Sequence, residues 1–348
     1  MSDFTLNVGG LRYSGWTALS VTRGLSQLTH SFNMRVTDQW AGLGERVEIR
    51  AGQVVVVKYG NQTITTGYID DDELSYSAGQ RSLSFSGRSK TGDLVDCAAV
   101  RSNGKRSWLK AGLSTIASEI CDPFGISATI NASAGGAFSR FTIEEGETAF
   151  MCLERAARRR GLLLLTDNEG NLIFDRAGSG RITTRIEFGK NVLRSSSRRS
   201  WRDRFQTYTI STQATGDDNM YGTATSLTRT VTDSGVDRYR PTVILADTED
   251  SGAELKKRAN WECNTRAGKS RELTYTVRGW EHDDGLWEPN QLVRVVDEQH
   301  WLDDELLITG VTQRRDESGT VTDLQLSAKE AFDVQPLPSP KAKSFWES

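Results

Sequence analysis

The chain has 348 residues, 36% of them apolar and 26% charged, with a formal net charge of −3. That balance excludes a disordered chain, which carries fewer apolar residues and more net charge, and it argues against a protein whose main task is gripping nucleic acid. Apolar runs such as Val54–Val57 and Leu162–Leu165 fall far short of the ~18 residues of a membrane-spanning helix.

Length predicts two or three domains, at roughly 100–200 residues each. The opening Met1-Ser-Asp-Phe-Thr has neither a basic region nor an apolar stretch, which predicts no secretory signal. Residues 1–97 read as strand after strand: Leu28–Val36 and Thr63–Ile69 alternate, Arg46–Lys58 is β-rich, and Ser82–Phe85 follows the turn-like Ala78-Gly79-Gln80. Gly, Asp and Asn punctuate these runs at the spacing of an antiparallel meander.

The pattern changes over 98–190. Leu109, Leu113, Ile116 and Ile120 predict a helix over Trp108–Cys121, stopped by Asp122-Pro123. Phe150, Leu153 and Ala157 predict a second over Glu147–Arg160, stopped by Gly161. A hairpin follows over Leu162–Phe174, with Asp167–Gly170 as its turn. From 191 the β character returns. Phe205–Gln213 alternates, Thr242–Leu245 is a short apolar run, and one helix intervenes. Asp247 or Thr248 caps that helix, Leu255, Ala259 and Cys263 form its stripe, and Gly268 ends it. Strands are predicted near Leu273–Val277, Leu292–Val296, Leu306–Val311 and Val321–Leu326. Residues 335–348, with Pro336, Pro338 and Pro340, read as an extended tail. Its Phe345 and Trp346 suit an anchor for a partner, although an untethered terminus is the commoner outcome.

An internal echo organises these strands. Gly52-Gln-Val-Val-Val-Val matches Asn290-Gln-Leu-Val-Arg-Val, Ile64-Thr-Thr-Gly-Tyr68 matches Leu307-Ile-Thr-Gly-Val311, and Ser82–Arg88 matches Asp323–Lys329. The offsets are 238, 243 and 241; upstream, Leu28–Phe32 faces Leu273–Val277 at 245. Four matches in order predict a structural repeat. The expected fold class is α+β, mainly β: two similar small β-barrels, 1–97 and 191–334, flanking an α+β domain of two helices and a hairpin, 98–190, with the tail 335–348 behind. Three such chains around a three-fold axis would present six similar units in a ring.

Chemical motifs are sparse. Cys97, Cys121, Cys152 and Cys263 are 24, 31 and 111 residues apart, with no CxxC spacing, and read as reduced packing residues. His30, His282 and His300 are the only histidines, too few for a histidine metal cage, and His30 reads as an ordinary strand position. No phosphate-cradling glycine motif and no nucleophile elbow is present. The expectation is therefore no catalytic residue, no cofactor and no metal. The basic run of Arg155 with Arg158–Arg160 reads as a solvated helix end complementing the carbonyl terminus rather than a phosphate patch.

The order of barrel, helix-helix-hairpin unit and barrel resembles the baseplate hub proteins of contractile, Mu-like phage tails, and is similar to the hub part of the type VI secretion spike protein. The residues that carry this are Phe141-Thr-Ile-Glu-Glu-Gly-Glu-Thr-Ala-Phe150, Leu153-Glu-Arg-Ala-Ala and the hairpin Gly161–Phe174. Trp201-Arg-Asp-Arg-Phe205, Arg238-Tyr-Arg-Pro-Thr242 and Trp287–Val293 add to it. The resemblance implies a structural, non-enzymatic virion protein of the tail baseplate, assembled in the host cytoplasm. It implies a homotrimer joining the hexameric tail tube to the trimeric membrane-piercing spike, with other baseplate proteins as partners, DNA passing only in transit and no stable membrane insertion. Two other classes are weighed. A cell-wall-degrading tail enzyme would draw on Glu144, Glu145 and Glu147, but glycoside chemistry needs two carboxyls held across a cleft. A DNA-binding virion protein would draw on Arg194, Arg198, Arg199, Arg202 and Arg204, interleaved only by Trp201 and Phe205. The acidic runs Asp70–Glu73 and Asp303–Glu305 would suit the wall of a channel that repels DNA.

Overall fold

A computed structural model describes residues 4–14, 16–37, 49–77, 80–101, 103–212, 227–246, 252–317 and 319–333. Asp247, Thr248, the turn at Ala78-Gly79, the start of the 46–58 run and the 335–348 tail lie outside them. The fold is mainly β. Alternation fixes its strands: in Ala18–Gly24 and Ser31–Thr37, Leu19, Val21, Phe32, Met34 and Val36 turn inward, and exposed or half-buried residues separate them.

The repeat is present strand by strand. In the N-terminal part, Ala18–Gly24 pairs with Ser31–Thr37, which pairs with Gln80–Ser89, then Gln62–Ser77, then Val54–Tyr59. The C-terminal part repeats that order with Val192–Arg199, Arg271–Arg278, Gly319–Ser327, Leu302–Asp316 and Gln291–Asp297, all antiparallel.

The registers agree as well. Ser77 faces Gln80 and, 239 positions later, Asp316 faces Gly319. The pairing shifts by one residue around Asp70 and again around Thr309, also 239 apart. Val54 faces Tyr68 as Leu292 faces Leu307, so the predicted offset of 238 is correct for Val54–Val57. The other three sequence matches slip. Registers place Ile64 and Ser82 at an offset of 239, not 243 and 241. Phe32, opposite Gly87, stands 241 before Leu273, opposite Leu326, where the echo gave 245. Every slip is by two or four residues. Strand side chains repeat every two, so an even slip leaves the buried face intact and sequence alternation cannot detect it.

The two predicted barrels are not closed: no pairing among the described residues returns either set of strands on itself. They are two stretches of one 14-stranded sheet, joined where Ala18–Gly24 pairs with Leu302–Asp316, Arg23 opposite Val311. Length explains the joint. Leu302–Asp316 has 15 residues, so along one edge it pairs first with Gln291–Asp297 and then with Ala18–Gly24. Two apolar cores lie along this sheet, one around Val21, Phe32, Val57 and Phe85, the other around Tyr275, Val293, Ile308 and Leu324. The first also takes in Trp280 and Leu286, and the Trp280 ring lies 3.8 Å from that of Phe4.

The middle of the chain has its own core. Leu113, Ile116 and Ile120 of helix Leu113–Cys121 pack there with Cys152, Leu153 and Ala156 of helix Ala149–Arg158 and with Phe174 of the hairpin Leu163–Thr166/Leu172–Asp175. The second helix begins two residues later than expected because Thr148, in extended conformation, caps it through a hydroxyl that accepts the Met151 N–H. The first begins at Leu113: Ser107–Ala111 is a strand paired with Phe138–Thr142, and Leu109 is exposed on it. Gly112 breaks the helical stripe that Leu109 seemed to extend.

Two strands expected in the second barrel lie elsewhere. Thr207–Thr212 and Pro241–Ala246 join Thr228–Thr232 in a separate three-stranded sheet, covered by helix Gly252–Lys269 through Leu255 and Ala259. Gly268 does not end that helix. It is small because Ala331 packs on it, a Cβ there falling 2.8 Å from the Ala331 backbone nitrogen.

Candidate assembly surfaces

The three parts of the chain meet at one buried arginine. Alternation that points Leu19 and Val21 inward also points Arg23 inward, and Arg23 is 1% exposed. Its guanidinium Nη2 donates to the Trp287 carbonyl at 2.7 Å and to Gln313 Oε1 at 3.3 Å; Nη1 donates to Asn168 Oδ1 at 2.9 Å and to Glu288 Oε1 at 3.4 Å. Asn168 belongs to the hairpin turn and in turn donates to Glu288. Beside them a cleft of about 310 Å³ is lined by His30, Thr166 and Gln291 among others. His30 is not the ordinary strand position the sequence suggested. It is buried, and burial, reinforced by the Arg23 charge, pushes its pKa down to about 3, so it stays neutral near pH 7. Arg23 was not singled out from sequence, although an arginine at the inward position of an alternating strand is itself a signal.

The candidate chemical residues are brought into pairs, not into a site. Glu147 holds Arg155 bidentately at 2.9 and 2.8 Å, and one of its oxygens also accepts the Glu144 N–H at 2.9 Å. Burial pushes the Glu147 carboxyl up, but the hydrogen bonds from Arg155 and the Glu144 N–H, together with the Arg155 charge, hold the group below the usual glutamate range. Glu145 faces away to Arg106. Three of the helix-end arginines are packed rather than freely solvated: Arg155 and Arg159 lie over the Phe141 ring and Arg160 lies 3.9 Å from the Phe138 centroid, while Arg158 is exposed as expected. Among the described residues no group of three His, Cys, Asp or Glu side chains could hold a metal ion.

The proposed arginine stripe is divided. Arg204 is consumed by Asp233, at 2.7 and 3.0 Å, a pair that raises the arginine pKa and lowers the aspartate's. Arg194, Arg198 and Arg199 are exposed on the strand Val192–Arg199, which pairs only with Arg271–Arg278 among the described residues. The acidic runs occupy different places in the repeat, because Asp70 corresponds to Thr309. Asp70 pairs with Arg88, Asp303 with Arg294 and Glu305 with Arg181, each at 2.7 Å.

Three family descriptions match in order: "Mu phage baseplate assembly protein GpP-like, N-terminal" over residues 3–89, "Baseplate hub protein gp44-like, second domain" over 91–176, and "Mu phage baseplate assembly protein GpP, fourth domain" over 251–335. The chain is 34% identical over 345 residues to baseplate hub protein gp44 of Escherichia phage Mu, covering 95% of this chain and 89% of that protein. The crystal structure of the 43 kDa tail protein of prophage MuSo2 from Shewanella oneidensis is similar at 35% identity and a TM-score of 0.84, over 96% of this chain and all of that one. A tail protein from Neisseria meningitidis shares the fold at 23% identity and a TM-score of 0.79, over 97% of this chain and 99% of that one.

A mainly β chain built from a repeated strand module, 34% identical over most of its length to a baseplate hub protein, is a structural part of a phage tail. It belongs to the family of Mu-like phage baseplate hub proteins. These are components of the tail baseplate in the virion, and the family is one of structural proteins, not enzymes. No helix among the described residues is long and apolar enough to cross a membrane.

Proposed function

We propose that three copies of this chain form a hub with pseudo-six-fold symmetry that joins the hexameric tail tube to the trimeric membrane-piercing spike, with a central passage for DNA. The observation that carries this reading is the repeat of strand order and register 239 positions apart within one chain. A closed ring of three chains then holds six comparable modules, which one face can offer to a six-fold partner and another to a three-fold one. In this reading residues 1–97 and 191–334 carry the two modules, 98–190 is the α+β domain, and 335–348 is the C-terminal tail. The hub assembles in the host cytoplasm and meets the tube, the spike and other baseplate proteins there.

Native mass spectrometry of the purified chain tests the reading. The expected species has three times the 38.6 kDa chain mass, and electron-microscopic averages show three-fold symmetry with six lobes. A strict monomer at high concentration overturns it.

A further inference from the structure

Within the chain, one junction joins the first module to the second: Leu19–Gly24 lies along Gly310–Arg315. The repeat carries both sides of that junction a second time, and there, among the described residues, they are open. The counterpart of Gly310–Arg315, 239 positions earlier, is Asp71–Tyr76, the outer part of Gln62–Ser77. Its inner part, Gln62–Tyr68, is covered by Val54–Tyr59, but from Asp70 on every residue is exposed and the only partner strand among the described residues is Gln80–Ser89. Val311 and Gln313 are buried at the junction; Leu74, the counterpart of Gln313, is 47% exposed and Tyr76 is 81% exposed.

The counterpart of Ala18–Gly24 follows from the same registers. Val21 faces Phe32, whose counterpart Leu273 faces Ser197. Val192–Arg199 is therefore the second copy of the joining strand, and its outer edge has no partner among the described residues.

We propose that these two edges pair between copies: Ser195–Arg199 of one chain adds antiparallel to Asp72–Tyr76 of the next. The inference rests on the trimeric reading and names its interface. Transferring the internal register sets Ser197 opposite Leu74, as Val21 is opposite Gln313. It sets Ser196 opposite Ser75, Arg198 opposite Glu73 and Arg199 opposite Asp72. The last two matches were not imposed; they fall out of the register, and both join a cation to an anion. At the internal junction the position of Arg198 and Glu73 is held by Thr22 and Thr312, whose hydroxyls are 3.2 Å apart, so side chains at that place reach one another.

Among the described residues both charged edges keep capacity for a partner. Arg198 is 4.0 Å from Glu272 with both side chains exposed, Arg199 donates at 3.4 Å to the His300 carbonyl, and Asp72 accepts the Ala51 N–H through Oδ1, leaving Oδ2. Strand addition supplies backbone hydrogen bonds, and opposite charges directly across fix register and orientation. A head-to-tail contact of this kind closes a ring when the rotation suits, and like charges along each edge keep identical edges from pairing with themselves.

Charge reversal in the full-length chain, read by native mass, tests the pairing. Arg198→Glu with Arg199→Glu, and separately Asp72→Arg with Glu73→Arg, each yield monomers whose circular dichroism matches the parent; combining all four restores the trimer. Ser75→Cys with Ser196→Cys gives, on oxidation, a covalent species of three chains, since residues directly opposite in an antiparallel pair lie within disulfide reach. A wild-type trimer that neither double reversal disturbs, a fourfold variant that stays monomeric, or no inter-chain disulfide overturns this pairing and leaves the trimeric reading standing. A wild-type monomer overturns both.

Discussion

Arg23 and Glu288 are 265 positions apart in the chain, yet Nη1 of the first lies 3.4 Å from Oε1 of the second. Through the same guanidinium the first sheet module, the hairpin of the α+β unit and the second module are tied to a single side chain. Removing it leaves the Trp287 carbonyl, Asn168 and Gln313 short of a donor together. Because Glu288 still reaches solvent, the expected loss for Arg23→Ala is about 2–3 kcal/mol, at the low end for a broken buried pair. Arg23→Lys recovers little, as an ammonium cannot fork between acceptors on two sides. Chemical denaturation of both variants checks this, and wild-type stability in Arg23→Ala refutes it.

His30 makes the protein acid-sensitive. Its pKa is pushed down to about 3 in the folded chain, against ~6.5 unfolded. Below pH 6.5 the unfolded state binds a proton that the folded state refuses, so stability is full above that pH and falls as pH drops toward 3. The slope approaches about 1.4 kcal/mol per pH unit for this one group. His30→Gln should flatten the pH dependence of the melting temperature between pH 6 and 4; an unchanged slope would show that other groups control it.

Gly170 presses the hairpin turn against the first module. Its φ is +77°, and a Cβ there would stand 2.5 Å from the Thr66 carbonyl oxygen. Gly170→Ala combines left-handed strain with overpacking and is expected to cost about 2–4 kcal/mol. Gly104→Ala, also at positive φ but with open space around it, should cost only about 1 kcal/mol. Equal losses at the two sites would remove the packing explanation.

Glu147 is a structural anchor. Glu147→Gln loses its charge-assisted pair with Arg155 and should destabilise the chain by about 1–3 kcal/mol. The parent chain should clear no peptidoglycan, so the variant has no lytic activity to lose. Clearing by the parent that Glu147→Gln abolishes would return this residue to the role of a catalytic acid.

Much of this was legible in the sequence, and the misses have two physical origins. The repeat, the hairpin over Leu162–Phe174 and the stripe of Leu255, Ala259 and Cys263 all follow from local periodicity. Three of the four strand matches slipped because alternation has period two and constrains face, not register. Leu109 was assigned to a helix because it stands four residues before Leu113, and only the intervening Gly112 argues otherwise. Closure of the barrels failed for a different reason: whether the far half of Leu302–Asp316 meets its own module or the other is a long-range choice that no short segment records. The Arg23 cluster is non-local in the same way, since Asn168 and Glu288 carry no mark of the partner they share.

The strand Ala18–Gly24 leaves the ribosome long before its partner Leu302–Asp316 is made. At ~5–20 residues per second, that edge waits on the order of 15–60 seconds of translation, open to any passing strand. The order of synthesis therefore makes the nascent N-terminal module most prone to misassociation with neighbours on the same messenger, and a truncated chain lacking the C-terminal strands should accumulate in inclusion bodies.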